Sequence, residues 1–119
     1  MRHRRAFVLL AVLALFGTRL CPASAQTPPP DALKELAPTG TLRAAINFGN
    51  GVLAQKGPNG EPRGISADLA AALAKRLGVP LQFVTFQAAG KVFEALAANK
   101  VDVGFIAIEP ARATDVAFT

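Results

Sequence analysis

The tetrapeptide Glu109-Pro110-Ala111-Arg112 sets a guanidinium in the first turn of a predicted helix, against the sign of the helix dipole. Pro110 suits the first helical position, where its missing N–H would be unpaired in any case. The free N–H groups of Ala111 and Arg112, with the Arg112 side chain, would make a small concave anion site, and an arginine fork matches a carboxylate. The dipole penalty is about 0.3–1 kcal/mol. A charge-assisted hydrogen bond returns about 1.5–3 kcal/mol, so a bound carboxylate outweighs the local cost. The plainer alternative is a solvated arginine paired with Glu109 or Asp115. A second group is Ile46-Asn47-Phe48-Gly49-Asn50. Asn47 and Asn50 offer amide donors and acceptors, and Phe48 offers an apolar face; the alternative is turn asparagines beside a core phenylalanine. Lys91 adds a positive charge near the same edge, or is simply exposed. Asp68, Glu94, Asp102 and Asp115 are scattered, so no carboxylate pair for general acid–base work is evident.

The elements that must position these groups follow from apolar periodicity. Thr41 to Phe48, Val79 to Phe86 and Val101 to Ile108 are near-continuous apolar runs and are predicted strands. Ile65 to Leu77 is a predicted helix. Ser66 can cap it, Asp68 lies in its first turn, and Ile65, Leu69, Leu73 and Leu77 form an apolar stripe. Lys75 and Arg76 suit its last turn, and Gly78 stops it. Ala88 to Ala98 is a second helix with Val92, Phe93 and Leu96 inward, and Pro110 to Thr114 a short third one. Asp31 to Ala37 is predicted as a short helical turn, and Gly49 to Gly64, rich in glycine and proline, as irregular. Strands alternating with helices imply a parallel sheet with right-handed crossovers, an α/β fold. Ligands of such sheets bind outside the carboxyl ends of the strands, here after Phe48, Phe86 and Ile108. Arg112 follows the third end, whereas Asp102 belongs to the opposite one. Gly49 to Ala54 matches G-x-G-x-x-A, but Gly57-Pro58-Asn59-Gly60 breaks the chain where a dinucleotide-binding helix would have to start.

Composition narrows the function. The formal charge is +5 over 119 residues, from 13 Lys or Arg against eight Asp or Glu. Four of the basic residues, Arg2, Arg4, Arg5 and Arg19, lie before Gln26, so the rest of the chain is nearly neutral and nucleic acid is not an expected partner. Residues 1–25 have the build of a secretory signal peptide: a basic start, an apolar run from Ala6 to Gly17 too short to span a bilayer, and Ala23-Ser24-Ala25 as a cleavage site. Cleavage after Ala25 removes Cys21 and His3, the only cysteine and histidine. The mature chain is then left without disulfides, thiol or histidine catalysis, or a Cys- or His-based metal site, and no metal or cofactor is expected. Residues 26–39 are a flexible leader.

The ordered segments "GEPRGISADLAAALAKRLGVPLQFV" and "ALAANKVDVGFIAIEPARATDVAFT" resemble the bacterial extracellular solute-binding proteins of family 3, the polar amino-acid type. Gly64, Ile65, Asp68, Leu69, Leu73, Ala74, Leu77 and Gly78 fill the family's glycine-led helix pattern. Lys100-Val101-Asp102 fills its K-x-D step, and Glu109-Pro110-Ala111-Arg112 with Phe118-Thr119 its T-P-E-R…F-[ST] step. The resemblance implies a three-layer αβα partial lobe of the periplasmic-binding-protein type II fold, with parallel strands in the order 2-1-3. Residues 40–119 would be the first half of lobe 1, truncated and without the second lobe. It implies a periplasmic receptor that presents a small anionic or zwitterionic solute to an ABC permease in the inner membrane and is not an enzyme. Arg112 takes the place of the arginine that grips the ligand carboxylate, and Phe48 that of an aromatic residue beside the ligand. Two positions depart from the pattern: Ala107 stands where a hydroxyl residue also binds the carboxylate, and Glu109 stands for the threonine. An α-amino acid is therefore one of several small carboxylates that fit. The alternatives are an enzyme on the same fold, such as a dehydratase of cyclic acids, with Glu109 as the only available acid or base, and a sensor input domain.

Overall fold

The computed structural model describes residues 26–119; the signal-peptide expectation falls on residues 1–25, outside them. Eight elements follow in order: α1 (Pro30–Leu36), β1 (Leu42–Asn47), β2 (Gln55–Lys56), β3 (Pro62–Arg63), α2 (Ile65–Leu77), β4 (Leu81–Phe86), α3 (Ala89–Ala97) and β5 (Val103–Gly104). The main sheet is parallel, with order β4-β1-β5. β1 is central because its apolar residues serve both faces. Leu42 packs with Ala74 and Leu77 of α2, while Ala45 packs with Val92 and Ala95 of α3. Successive side chains of a strand point to opposite faces. The register with β4 obeys this: Leu42 lies opposite Leu81 on the α2 side, and Ala45 lies opposite Val84 on the α3 side. The helices therefore cover opposite faces, giving three αβα layers. No helix among the described residues is long and apolar enough to cross a membrane.

Helix α2 begins and ends where the sequence reading puts it, but the reading of its cap and its inner face is corrected. Gly64 is the N-cap, at φ 104°, and no side chain caps the helix. Ser66 lies inside it, buried, with its N–H donating to the Leu53 carbonyl at 3.0 Å. The inner face is Ser66, Ala67, Ala70, Ala74 and Leu77, while Ile65 and Leu69 are 54% and 53% exposed. A row of residues four apart drifts about 40° around the axis per step, because a turn holds 3.6 residues. Leu77 is thus in the core, Leu73 half-buried, and Leu69 and Ile65 have rotated into solvent. On α3 the buried pair is Val92 and Ala95, with Phe93 and Leu96 half-buried. The stretch 49–64 is not wholly irregular either: β2 and β3 pair as an antiparallel hairpin. Glu61 anchors it, accepting from Asn59 N–H at 3.0 Å and Arg63 Nε at 2.8 Å. Its own backbone N–H holds the Glu61 carboxyl below the ordinary glutamate range; Asn59 and Arg63 add to this, against partial desolvation.

The third strand is much shorter than the apolar run Val101 to Ile108. Only Val103 and Gly104 pair, with Ala44 and Ala45 of β1, and the chain leaves the ladder after Gly104. An ion pair supplies what the short ladder lacks. The Asp102 carboxylate accepts from Arg43 N–H at 2.8 Å, Nε at 3.0 Å and Nη2 at 2.6 Å, and Asp102 N–H donates to the Arg43 carbonyl at 2.8 Å. The Asp102 hydrogen bonds push the guanidinium pKa up, against desolvation, with the Asp102 charge adding to them. The Asp102 side chain is only 3% exposed, whereas in the Lys91–Glu94 pair both side chains are more than 60% exposed. Exposed pairs contribute about 0–1 kcal/mol. Asp102→Asn is expected to lower the urea midpoint clearly, with an unchanged m-value, and Glu94→Gln to leave it nearly in place. Equal midpoint shifts for the two variants would contradict this ranking.

Candidate functional site

Three chain segments leave the main sheet at the carboxyl ends of its strands. After β1 the ladder extends one residue further, as Phe48 N–H donates to the Phe86 carbonyl at 2.8 Å. Gly49 follows, and its backbone lies so close to the Gln87 carbonyl oxygen that no Cβ fits between them. Close approach of two backbones is one of the few jobs only glycine does. Asn47 Oδ1 accepts the Gly49 N–H at 2.9 Å and Asn50 Oδ1 accepts the Val52 N–H at 3.2 Å. Both are side-chain turns of the kind asparagine favours. Their acceptors are spent on the loop, while no hydrogen bond from their side-chain NH₂ groups is found within the described residues; Asn47 is half-buried and Asn50 exposed. Phe48 is half-buried.

After β5 the chain runs without regular structure through Ile108 and then turns twice. The predicted helix over 110–114 does not form. Arg112 and Ala113 N–H both donate to the Glu109 carbonyl, and Asp115 and Val116 N–H both donate to the Arg112 carbonyl. Bonds converging on two carbonyls make two separate turns and no continuing ladder. The Arg112 N–H is therefore engaged and not free for an anion, which corrects the expectation of a helix-start amide site. The guanidinium itself is well placed. Its side chain is only 18% exposed; Nη1 donates to the Ala107 carbonyl at 3.3 Å, and Nε lies 3.4 Å from a Glu109 carboxylate oxygen. Ala107, exposed, contributes this carbonyl and no hydroxyl. Glu109 caps no helix; it pairs with Arg112.

Lys91 is not drawn into this region by any hydrogen bond. Its ammonium pairs with Glu94 at 2.8 Å on the exposed face of α3. The hydrogen bonds of Asn47 and Asn50 stay in the loop after β1, and those of Arg112 stay in the segment after β5. The structure thus brings Arg112, Ala107 and Glu109 into contact and leaves the other candidates separate. Sequence reasoning missed the central role of Asp102, which holds β5 and hence the segment carrying Arg112; its carboxylate takes two hydrogen bonds from the guanidinium and one from the backbone N–H of Arg43, 59 positions away, which no local pattern carries. A groove of about 870 Å³ runs along the outer side of β5, lined by Arg43, Asp102, Phe105, Ile106 and Phe118. Arg112 does not line it; of its charged side chains Arg43 and Asp102 satisfy each other, and the other two, Glu35 and Asp115, are acidic. Among the described residues no three His, Cys, Asp or Glu side chains gather as a metal site.

Comparison with known proteins gives the geometry a context. A family model, bacterial extracellular solute-binding proteins, family 3, matches residues 52–119. No curated protein matches the sequence. Among solved structures, an ancestral cationic amino acid solute-binding protein is 35% identical with a TM-score of 0.60, over 70% of this chain and 37% of that one. An ancestral cyclohexadienyl dehydratase is 31% identical with a TM-score of 0.59, over 69% of this chain and 34% of that one. The arginine-bound form of domain 1 from TmArgBP, of T. maritima, is 27% identical with a TM-score of 0.58, over 67% of this chain and 64% of that one. The chain spans about a third of the length of the first two and under two thirds of that single domain.

Proposed function

The chain belongs to the bacterial extracellular solute-binding proteins of family 3, and from that premise we propose that it carries part of the solute site of a receptor for a polar amino acid. Its α/β fold is that of a periplasmic-binding-protein type II lobe. The observation that carries the proposal is the Arg112 guanidinium, largely shielded and held from behind by the Ala107 carbonyl beyond the end of β5. A fork fixed this way keeps N–H groups for a carboxylate and loses little side-chain entropy on binding. Phe48 and the free amide N–H groups of Asn47 and Asn50 are the proposed contacts from the neighbouring strand end. Ala107 takes part through its carbonyl, and Lys91 supplies at most long-range charge. The relatives support a cationic amino acid as solute, since one is a cationic amino acid solute-binding protein and another is arginine-bound. That arginine-bound structure is a single domain, which supports a ligand contact made from one lobe. Export by a signal peptide, residence in the periplasm and hand-over to an ABC permease belong to the same proposal.

Titration of the chain with L-arginine and L-lysine by calorimetry tests it. Arg112→Ala is expected to weaken binding about 10- to 100-fold, the value of one charge-assisted hydrogen bond. Unchanged affinity in that variant would remove the proposal's chemical basis. A second reading, an enzyme acting on cyclic acids, is favoured by the dehydratase relative. Among the described residues Glu109 is the only acid in ion-pair range of Arg112, and no second carboxylate is paired with it to share a proton. Incubation with a cyclohexadienyl carboxylic acid decides between them: growth of an aromatic absorbance supports the enzyme, and a flat trace supports the receptor.

A further inference from the structure

We propose that Glu109 is a second ligand-contacting residue and selects ligands that carry an ammonium group on the carbon next to their carboxylate over those that lack it. The inference rests on the reading of Arg112 as the carboxylate-binding group. Arg112 is not an open cation: a Glu109 carboxylate oxygen lies 3.4 Å from Nε, and the Ala107 carbonyl lies 3.3 Å from Nη1. The two side chains differ in their surroundings. Arg112 is 18% exposed and Glu109 51% exposed, so the guanidinium is the fixed member and the carboxylate the one that faces solvent. A guanidinium has five N–H donors; one is given to the Ala107 carbonyl and Nε lies in ion-pair range of Glu109, which leaves edge donors for an incoming carboxylate.

The charge balance then selects the ligand. Arg112 and Glu109 together are neutral. A plain anion approaching Arg112 meets the Glu109 carboxylate at close range and must either tolerate a like charge or displace it. A zwitterion brings its own cation on the carbon next to its carboxylate. Its carboxylate takes the free edge of Arg112 while its ammonium takes Glu109, so every charge keeps an opposite neighbour. The resembled motif has threonine at this position, a hydroxyl that carries no charge and discriminates little between the two ligand types. Specificity here therefore includes a repulsive element against anions as well as an attractive one toward the ammonium.

The experiment compares L-arginine with its des-amino analogue 5-guanidinopentanoate by calorimetry, on the unsubstituted full chain, Arg112→Ala, Glu109→Gln and Glu109→Thr. Glu109 is half-exposed, so both of its variants are expected to fold, and their far-ultraviolet circular dichroism should match the unsubstituted chain. Glu109→Gln and Glu109→Thr should weaken L-arginine about 10- to 100-fold and leave the des-amino acid unchanged or tighter. If both ligands change by the same factor, or neither changes while Arg112→Ala weakens both, Glu109 is not the discriminating group and this proposal falls alone. If the unsubstituted chain binds neither ligand, or Arg112→Ala binds as tightly as the unsubstituted chain, the reading of Arg112 falls and takes this one with it.

Discussion

Ile46→Ala should lower the unfolding free energy of the chain by about 2–5 kcal/mol, the usual cost of emptying a fully buried aliphatic site. Ile46 is 0% exposed and sits on β1, the central strand, opposite Thr85 of β4. Two contributions add. The lost side-chain carbons no longer leave water on folding, and a close-packed interior collapses only partly onto the space they leave. Domains of this size have only about 5–15 kcal/mol to lose. The matched control is Leu69→Ala on α2. Leu69 is as apolar and lies on the stripe that the sequence marks as inward, yet it is 53% exposed. Its removal should change stability by no more than about 0.5 kcal/mol. Urea titrations of the two variants check this; a Leu69 effect equal to that of Ile46 would mean that α2 is rotated from its described orientation.

That contrast shows where sequence reading works and where it stops. Alternation of strands and helices, with apolar strands, was enough for a parallel α/β sheet, and the bounds of α2 were marked by Asp68, Lys75, Arg76 and Gly78, whose charges and backbone freedom act locally. Which face of α2 points inward was not legible. It depends on Ser66, Ala67, Ala70 and Ala74, small residues that let the helix approach the sheet, and smallness reads as neutral in a hydrophobic pattern. The length of β5 was not legible for a related reason. An apolar run states that residues avoid water, whereas ladder length depends on partners, and β1 offers β5 only Ala44 and Ala45. The residue that fastens β5, Asp102, acts on Arg43 from 59 positions away.

The candidate site divides along the same line. Arg112 could be singled out because its charge conflicts with its expected place on a helix, and a local conflict of this kind is readable. Its surroundings were not. The expected helix start would have offered free amides; instead two turns consume the Arg112 N–H, and the guanidinium is oriented by one carbonyl and one carboxylate. Asn47 and Asn50 bond to their own loop as turn residues do, and this local use is compatible with ligand contact only through their NH₂ groups. The proposed site would therefore join a cation already paired with Glu109 to amide groups that the structure keeps in a separate loop, after β1. In the proposed site, a ligand gains affinity only by supplying charges that replace the internal pair.

The same strand edge gives the second large effect. Gly49→Ala should destabilise the chain toward the upper end of about 1–3 kcal/mol, the range for overpacking a close contact. The added Cβ would fall on the Gln87 carbonyl oxygen and within 3.0 Å of Asn47 Oδ1. Gly49 does not have a positive φ, so alanine is not barred by its own backbone conformation. Loss of unfolded-state freedom would by itself favour alanine by about 0.4–1 kcal/mol. The clash prevails because the obstructing atom belongs to the backbone. A side chain can change rotamer, whereas the Gln87 carbonyl can retreat only by pulling β4 away from β1 or breaking the Phe48–Phe86 hydrogen bond. Either movement also shifts the Asn47–Gly49 turn and with it the amide donors proposed to meet the solute. The variant should thus show a lower melting temperature together with weaker amino-acid binding measured where it is still fully folded. Gly51→Ala, two residues along with open space at its Cβ position, should show neither. A Gly49 variant as stable as the unsubstituted chain would show that the two strand ends do not approach each other this closely.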